Sequence, residues 1–141
     1  MTSSWEKFEE LIKQEMRKIY SEDVIEHSMN PRNLGELEDA DGSAQVTGSC
    51  GDTMKMWLEV RDGAIAKATF LTDGCGTTIA AGSMLTELAR GKSISKAQKI
   101  SQANVLNALG GLPEESEHCA LLAADTLKAA IRDYLAVQKE P

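Results

Sequence analysis

The chain has 141 residues, 42% of them hydrophobic and 26% charged, which describes an ordinary globular protein able to bury a core without staples. A formal net charge of −7 argues against binding a nucleic-acid backbone, which depends on Lys/Arg neutralisation. The charged opening segment reads neither as a signal peptide nor as a membrane span, so the expected setting is cytoplasmic, without a membrane partner.

Residues 3–19 place Trp5, Phe8, Ile12, Met16 and Ile19 at helical spacing, with Ser3 or Ser4 as N-cap. The expectation is a helix that covers part of the core or a neighbour. Trp5 and Phe8 are available to a partner or to a second copy in a homodimer. A short helix over about 21–28 follows and stops before Pro31, which restricts Asn30.

The period then shortens to two. The runs SAQVTGSC, DTMKMWLEV and AIAKATFLT read as strands. Met54, Met56, Leu58 and Val60 share one face of the second, with Lys55 and Glu59 opposite. Asp62-Gly63 is a two-residue hairpin signal. Beyond Gly76 the pattern is helical: 77–90 ending at Gly91, short segments near 94–99 and 102–109, and a long final helix from about Ser116 to Val137. Leu127, Ile131, Tyr134 and Leu135 supply its buried stripe. The fold class is α+β, a three-stranded antiparallel β-meander packed against several helices with a long C-terminal helix.

Three cysteines cannot all pair within one chain, and in a reducing compartment free thiols point to metal or sulfur chemistry. Cys50 lies at the expected end of the first strand, Cys75 where a helix begins, and Cys119 in the first turn of the last helix. Gly48, Gly51, Gly74 and Gly76 reduce bulk around two of them. A helix N-terminus favours thiolate, the form that binds metal and attacks sulfur. Asp52 offers an oxygen and His118 an imidazole nitrogen; if residues 50–52 are extended, Asp52 and Cys50 flank Gly51 on opposite sides. A lone cysteine is most often a small hydrophobe, but three thiols at element ends with an adjacent His and a nearby Asp form a joint pattern. His27 reads as a packed or capping histidine, and Met54 and Met56 as core. The donor set suits tetrahedral zinc or an iron–sulfur cluster. Incomplete thiolate ligation suits a site that releases its cargo.

The segments YSEDVIEHSMNPRNLGELEDADG, CGDTMKMWLEV, FLTDGCGTTIAAGSMLTELARGKS and EHCALLAADTLKAAIRDY resemble the IscU/NifU-type iron–sulfur cluster assembly scaffolds, from about Tyr20 to Tyr134. The resemblance implies a scaffold rather than an enzyme. Such a scaffold accepts persulfide sulfur from a cysteine desulfurase, binds Fe2+, builds a transient [2Fe–2S] cluster and passes it to apo iron–sulfur acceptor proteins. A ferredoxin-type electron donor belongs to the same picture, and Zn2+ can occupy the cluster-free site. The resemblance makes Cys50, Cys75 and Cys119 the ligand cysteines, Asp52 and His118 the further donors, and Cys119 the persulfide acceptor. Residues 1–19 form an N-terminal helical extension and 20–138 the scaffold domain. Many members read L-P-P-V-K before the His-Cys pair; here LPEES places Ser116 at the lysine, which argues against a dedicated Hsp70-type chaperone as partner. The alternative is a zinc-bound SufU-like persulfide relay. That group carries a long insertion between the second and third cysteines and usually lacks the histidine; this chain has no such insertion and keeps His118.

Overall fold

The computed structural model describes residues 3–139. Helix α1 spans Ser4–Arg17 and α2 Glu22–Met29. Strands β1 (Gly42–Thr47), β2 (Thr53–Arg61) and β3 (Ala64–Thr72) follow. Then come α3 (Gly76–Ala89), α4 (Ile94–Ala97), α5 (Gln102–Leu109) and α6 (Glu117–Lys139). The sheet is the expected antiparallel meander in the order β1-β2-β3. Its second turn is Asp62-Gly63 with φ of 53° and 75°, the left-handed pair that a two-residue hairpin requires.

Alternation puts Met54, Met56 and Leu58 of β2 fully inside, beside Ile65, Ala68 and Phe70 of β3. A register shift between Glu59 and Val60 breaks that alternation, and Val60 is only half-buried. On the opposite face Trp57 is nearly buried, with the Lys55 ammonium 5.1 Å from its ring centre.

Helix α6 lies across β1 and β2, and α3 lies against β3. Both approaches depend on glycine. A Cβ at Gly42 would stand 2.7 Å from the Ala130 carbonyl oxygen and Tyr134 Cβ, and one at Gly82 would stand 2.5 Å from the Phe70 ring. Of the expected stripe on α6, Leu127 and Ile131 are fully buried, while Tyr134 and Leu135 are half-buried. Helix α2 packs on α3. Its N-cap Ser21 accepts from the Val24 N–H and donates to the Leu109 carbonyl, pinning α2 to the end of α5. Deeper in, the Ser83 hydroxyl accepts the Arg32 N–H at 2.8 Å and lies 2.7 Å from His27 Nδ1. The hydroxyl keeps its hydrogen and a second lone pair for Nδ1, so either atom can be the donor in that contact. The packed reading of His27 therefore holds.

Helix α1 departs from expectation. Ser3 caps it as the sequence suggests, accepting the Glu6 N–H at 3.1 Å. It buries no residue, however, and so does not cover the core. Trp5, Phe8, Leu11, Ile12 and Ile19 are all exposed, Trp5 at 65%. The helix meets the rest of the chain near α2, where Arg17 bridges Glu10 and Glu22. The periodicity correctly signals a helix; nothing within the chain lies opposite its apolar stripe among the described residues.

Candidate metal and sulfur centre

The three cysteines sit on separate elements at one end of the molecule. Cys50 stands just past β1, in the tight turn that leads to β2. There Gly48 and Asp52 pair through the Gly48 N–H (2.8 Å), the Gly51 N–H bonds back to the Gly48 carbonyl, and Gly51 takes a φ of 92°. The turn corrects the extended reading of residues 50–52. Gly51 reverses the chain there, a conformation that a side chain would oppose, and Cys50 and Asp52 lie close across it. Their ligand atoms and those of His118 all lie within 4.8 Å of one another.

Cys75 is the N-cap residue of α3, exposed at the surface. Its sulfur is 3.2 Å from the Thr77 hydroxyl. That hydroxyl holds the Cys75 thiol below its ordinary pKa; burial opposes the shift, and the backbone N–H groups of Thr77 and Thr78 reinforce it. A depression of about 140 Å³, lined by Tyr20, Val24, Ser28, Cys75, Gly76 and Thr77, opens beside the thiol.

Cys119 is the third residue of α6 and is 2% exposed. It does not point into a separate apolar pocket. Its sulfur lies 3.5 Å from the Thr77 hydroxyl, 3.3 Å from the Thr78 hydroxyl and 3.8 Å from His118 Nε2. Thr78 Oγ1 in turn donates to Asp52 Oδ2 at 3.0 Å. Side chains thus run in sequence from Cys75 through Thr77, Cys119 and Thr78 to Asp52, with Cys50 and His118 closing the group. Of the five expected donors, Cys50, Asp52 and His118 lie within 4.8 Å of one another, Cys119 reaches His118 Nε2 at 3.8 Å, and Cys75 joins only through Thr77. They fall in two halves: an outer triplet of Cys50, Asp52 and His118, and the pair Cys75 and Cys119 bridged by Thr77.

Sulfur, carboxylate oxygen and imidazole nitrogen are the donors zinc accepts, and bonds of about 2.0–2.3 Å would set neighbouring donors roughly 3.3–3.8 Å apart. The outer triplet reaches that spacing by contracting at most about 1.5 Å. Among the described residues no Lys or Arg forms an ion pair with Asp52. Sequence reasoning missed Thr77 and Thr78. Two threonines opening a helix look like first-turn filler, and the available signal was their position directly after Cys75-Gly76.

The sequence model of the NifU-like N terminal domain family matches residues 19–141. The chain belongs to this family. It is 49% identical over 117 residues to "Iron-sulfur cluster assembly scaffold protein IscU 1" of Archaeoglobus fulgidus, covering 82% of this chain and 76% of that protein. It is 46% identical over 120 residues to "Iron-sulfur cluster assembly scaffold protein IscU" of Escherichia coli K12, covering 82% of this chain and 93% of that one. In fold it is similar to the N-terminal part of a NifU-like protein from Brucella abortus, with a TM-score of 0.67 over 89% of this chain and 99% of that structure at 22% identity. The α+β meander with its long C-terminal helix is therefore the family's architecture.

Proposed function

We propose that this chain is a scaffold for iron–sulfur cluster assembly rather than an enzyme. It takes sulfur from a cysteine desulfurase, binds iron, assembles a transient [2Fe–2S] cluster on its own side chains and passes it to apo acceptor proteins. Residues 20–138 carry this role and residues 1–19 are an extension. Kinship supports the reading: relatives named for cluster assembly are 49% and 46% identical to this chain over 82% of its length. The observation that carries it is the hydroxyl-linked run from Cys75 through Cys119 to Asp52, placed against Cys50 and His118.

The residues divide the work by position. Cys119 acts as persulfide acceptor: its thiolate attacks the outer sulfur of the desulfurase persulfide, forms a new S–S bond and leaves the desulfurase as thiolate. Turning that sulfane sulfur into sulfide takes two electrons, the contribution of a ferredoxin-type donor. Cys50 and Cys75, both exposed, meet incoming iron at the surface. Asp52 and His118 complete the donor set with harder atoms that hold iron less firmly than a fourth thiolate. Zn2+ suits the same donors in the cluster-free form.

Anaerobic reconstitution with a cysteine desulfurase, cysteine and ferrous iron tests this reading. The expected result is cluster absorption in the parent protein and its loss in Cys75→Ser and Cys119→Ser. Absorption that survives in both variants contradicts the site. Sulfur uptake at Cys119 with zinc but no iron would instead identify a SufU-like relay.

A further inference from the structure

Thr78 lies outside the donor set, yet it touches both halves of it. It is fully buried in the first turn of α3, donates to Asp52 Oδ2 at 3.0 Å, and holds its oxygen 3.3 Å from Cys119 Sγ. A threonine hydroxyl has one hydrogen and two lone pairs. A carboxylate is the stronger acceptor because the bond is charge-assisted, so the hydrogen faces Asp52 and a lone pair faces the sulfur. The Cys119 S–H is then the donor in that contact. Packing fixes the arrangement as well. A Cβ at Gly74 would stand 2.6 Å from both Thr78 Cβ and Oγ1 and 2.7 Å from Cγ2, so the threonine occupies the space that glycine leaves. Its branched side chain has few helical rotamers into which to turn.

We propose that Thr78 is a positioning residue that ties the Asp52 carboxylate to the Cys119 thiol, so that the two are released together. The proposal rests on the reading of Asp52 and Cys119 as donors in the assembly site. Asp52 is shared between two arrangements: inward on Thr78, or drawn outward toward Cys50 and His118, whose ligand atoms lie within 4.8 Å of its own. When it moves outward, the Thr78 hydrogen loses its acceptor and the Cys119 thiol loses an anchor whose orientation the carboxylate had set. Thr77 Oγ1 lies farther from the sulfur, at 3.5 Å, and is also engaged with Cys75 at 3.2 Å. Cys119, at 2% exposure, is otherwise withdrawn from solvent while Cys50 and Cys75 are exposed.

The test is the alkylation rate of each cysteine in the chelator-treated full chain with iodoacetamide, read by peptide mass spectrometry, without iron or desulfurase. Thr78→Val and Thr78→Ala are expected to speed Cys119 alkylation about fivefold, the effect of losing one hydrogen bond. Thr78→Ser is expected to remain close to the parent rate. Serine and alanine both lack the γ-methyl group, so their difference isolates the hydroxyl even if the valine variant does not fold. A small free thiol added to each reaction is the reference, because Asp52 released from Thr78 would approach Cys50. An unchanged or slower Cys119 rate in Thr78→Ala, or a serine variant as fast as the alanine variant, overturns the proposal. A failed reconstitution in the parent protein would instead remove the scaffold reading and leave this alkylation result standing.

Discussion

Helix α1 and helix α6 begin from the same kind of sequence, an apolar stripe at helical spacing, and end in opposite environments. Helix α6 packs on β1 and β2, with Ala130 and Tyr134 against Gly42, and Leu127 and Ile131 of its stripe disappear inside. On α1 no residue is buried, and the helix is held by its Ser3 cap and by exposed ion pairs at Arg17. Such pairs contribute little. Helices α2, α3 and α6 also share buried polar contacts: His27 with Ser83, and Thr78 with Asp52 and Cys119. Periodicity therefore identifies a helix, but a complementary surface decides what it does. The site is built only where helices share a core.

The largest expected effect follows directly. Leu127→Ala should cost about 2–5 kcal/mol, because a fully buried leucine is removed from close-packed surroundings; chemical denaturation measures it. Phe8→Ala on α1, at the other end of the scale, should change stability by no more than about 0.5 kcal/mol. A cost above about 2 kcal/mol there would show that α1 does share the core.

Between these extremes lies His27. Burial, followed by the neighbouring Arg32, holds its pKa below the ordinary histidine value. The folded state then binds fewer protons than the unfolded chain over that window. The stabilising contribution of neutral His27 is complete above the ordinary value of about 6.5 and is lost as pH falls through that value toward the lower folded one. Thermal unfolding between about pH 7 and pH 5 should show a decline that His27→Asn, which keeps a hydrogen-bonding group near Nδ1, reduces. An identical decline in the variant would assign the acid sensitivity elsewhere.

A smaller effect is expected at the site. Thr77→Val should move the alkylation profile of Cys75 to higher pH, because the Thr77 hydroxyl is the main cause of the lowered thiol pKa. An unmoved profile would leave the backbone amides of α3 as the cause.

Much of this was legible in the residues. Period-two runs separated by Asp62-Gly63 gave the meander, and helical spacing with Gly91 gave α3. The convergence of Cys50, Cys75 and Cys119 was readable from their positions at element ends. Three features were not. The register shift at Glu59/Val60 leaves no mark in a single sequence, because Val60 continues the period of Met54, Met56 and Leu58. The reversal at Gly51 is hidden because glycine accepts both extended and left-handed backbone. Thr77 and Thr78 acquire meaning only when α6 brings Cys119 alongside them, a contact across more than forty positions.

The central claim is that thiols far apart in sequence share one coordination sphere. X-ray absorption at the zinc edge, on protein loaded anaerobically with one zinc per chain, addresses it most directly. The account predicts a mixed shell of sulfur and nitrogen or oxygen whose sulfur content falls when Cys50, Cys75 and Cys119 are replaced together by serine and whose nitrogen/oxygen content depends on Asp52 and His118. A shell without sulfur, or one that the triple replacement leaves unchanged, would contradict it.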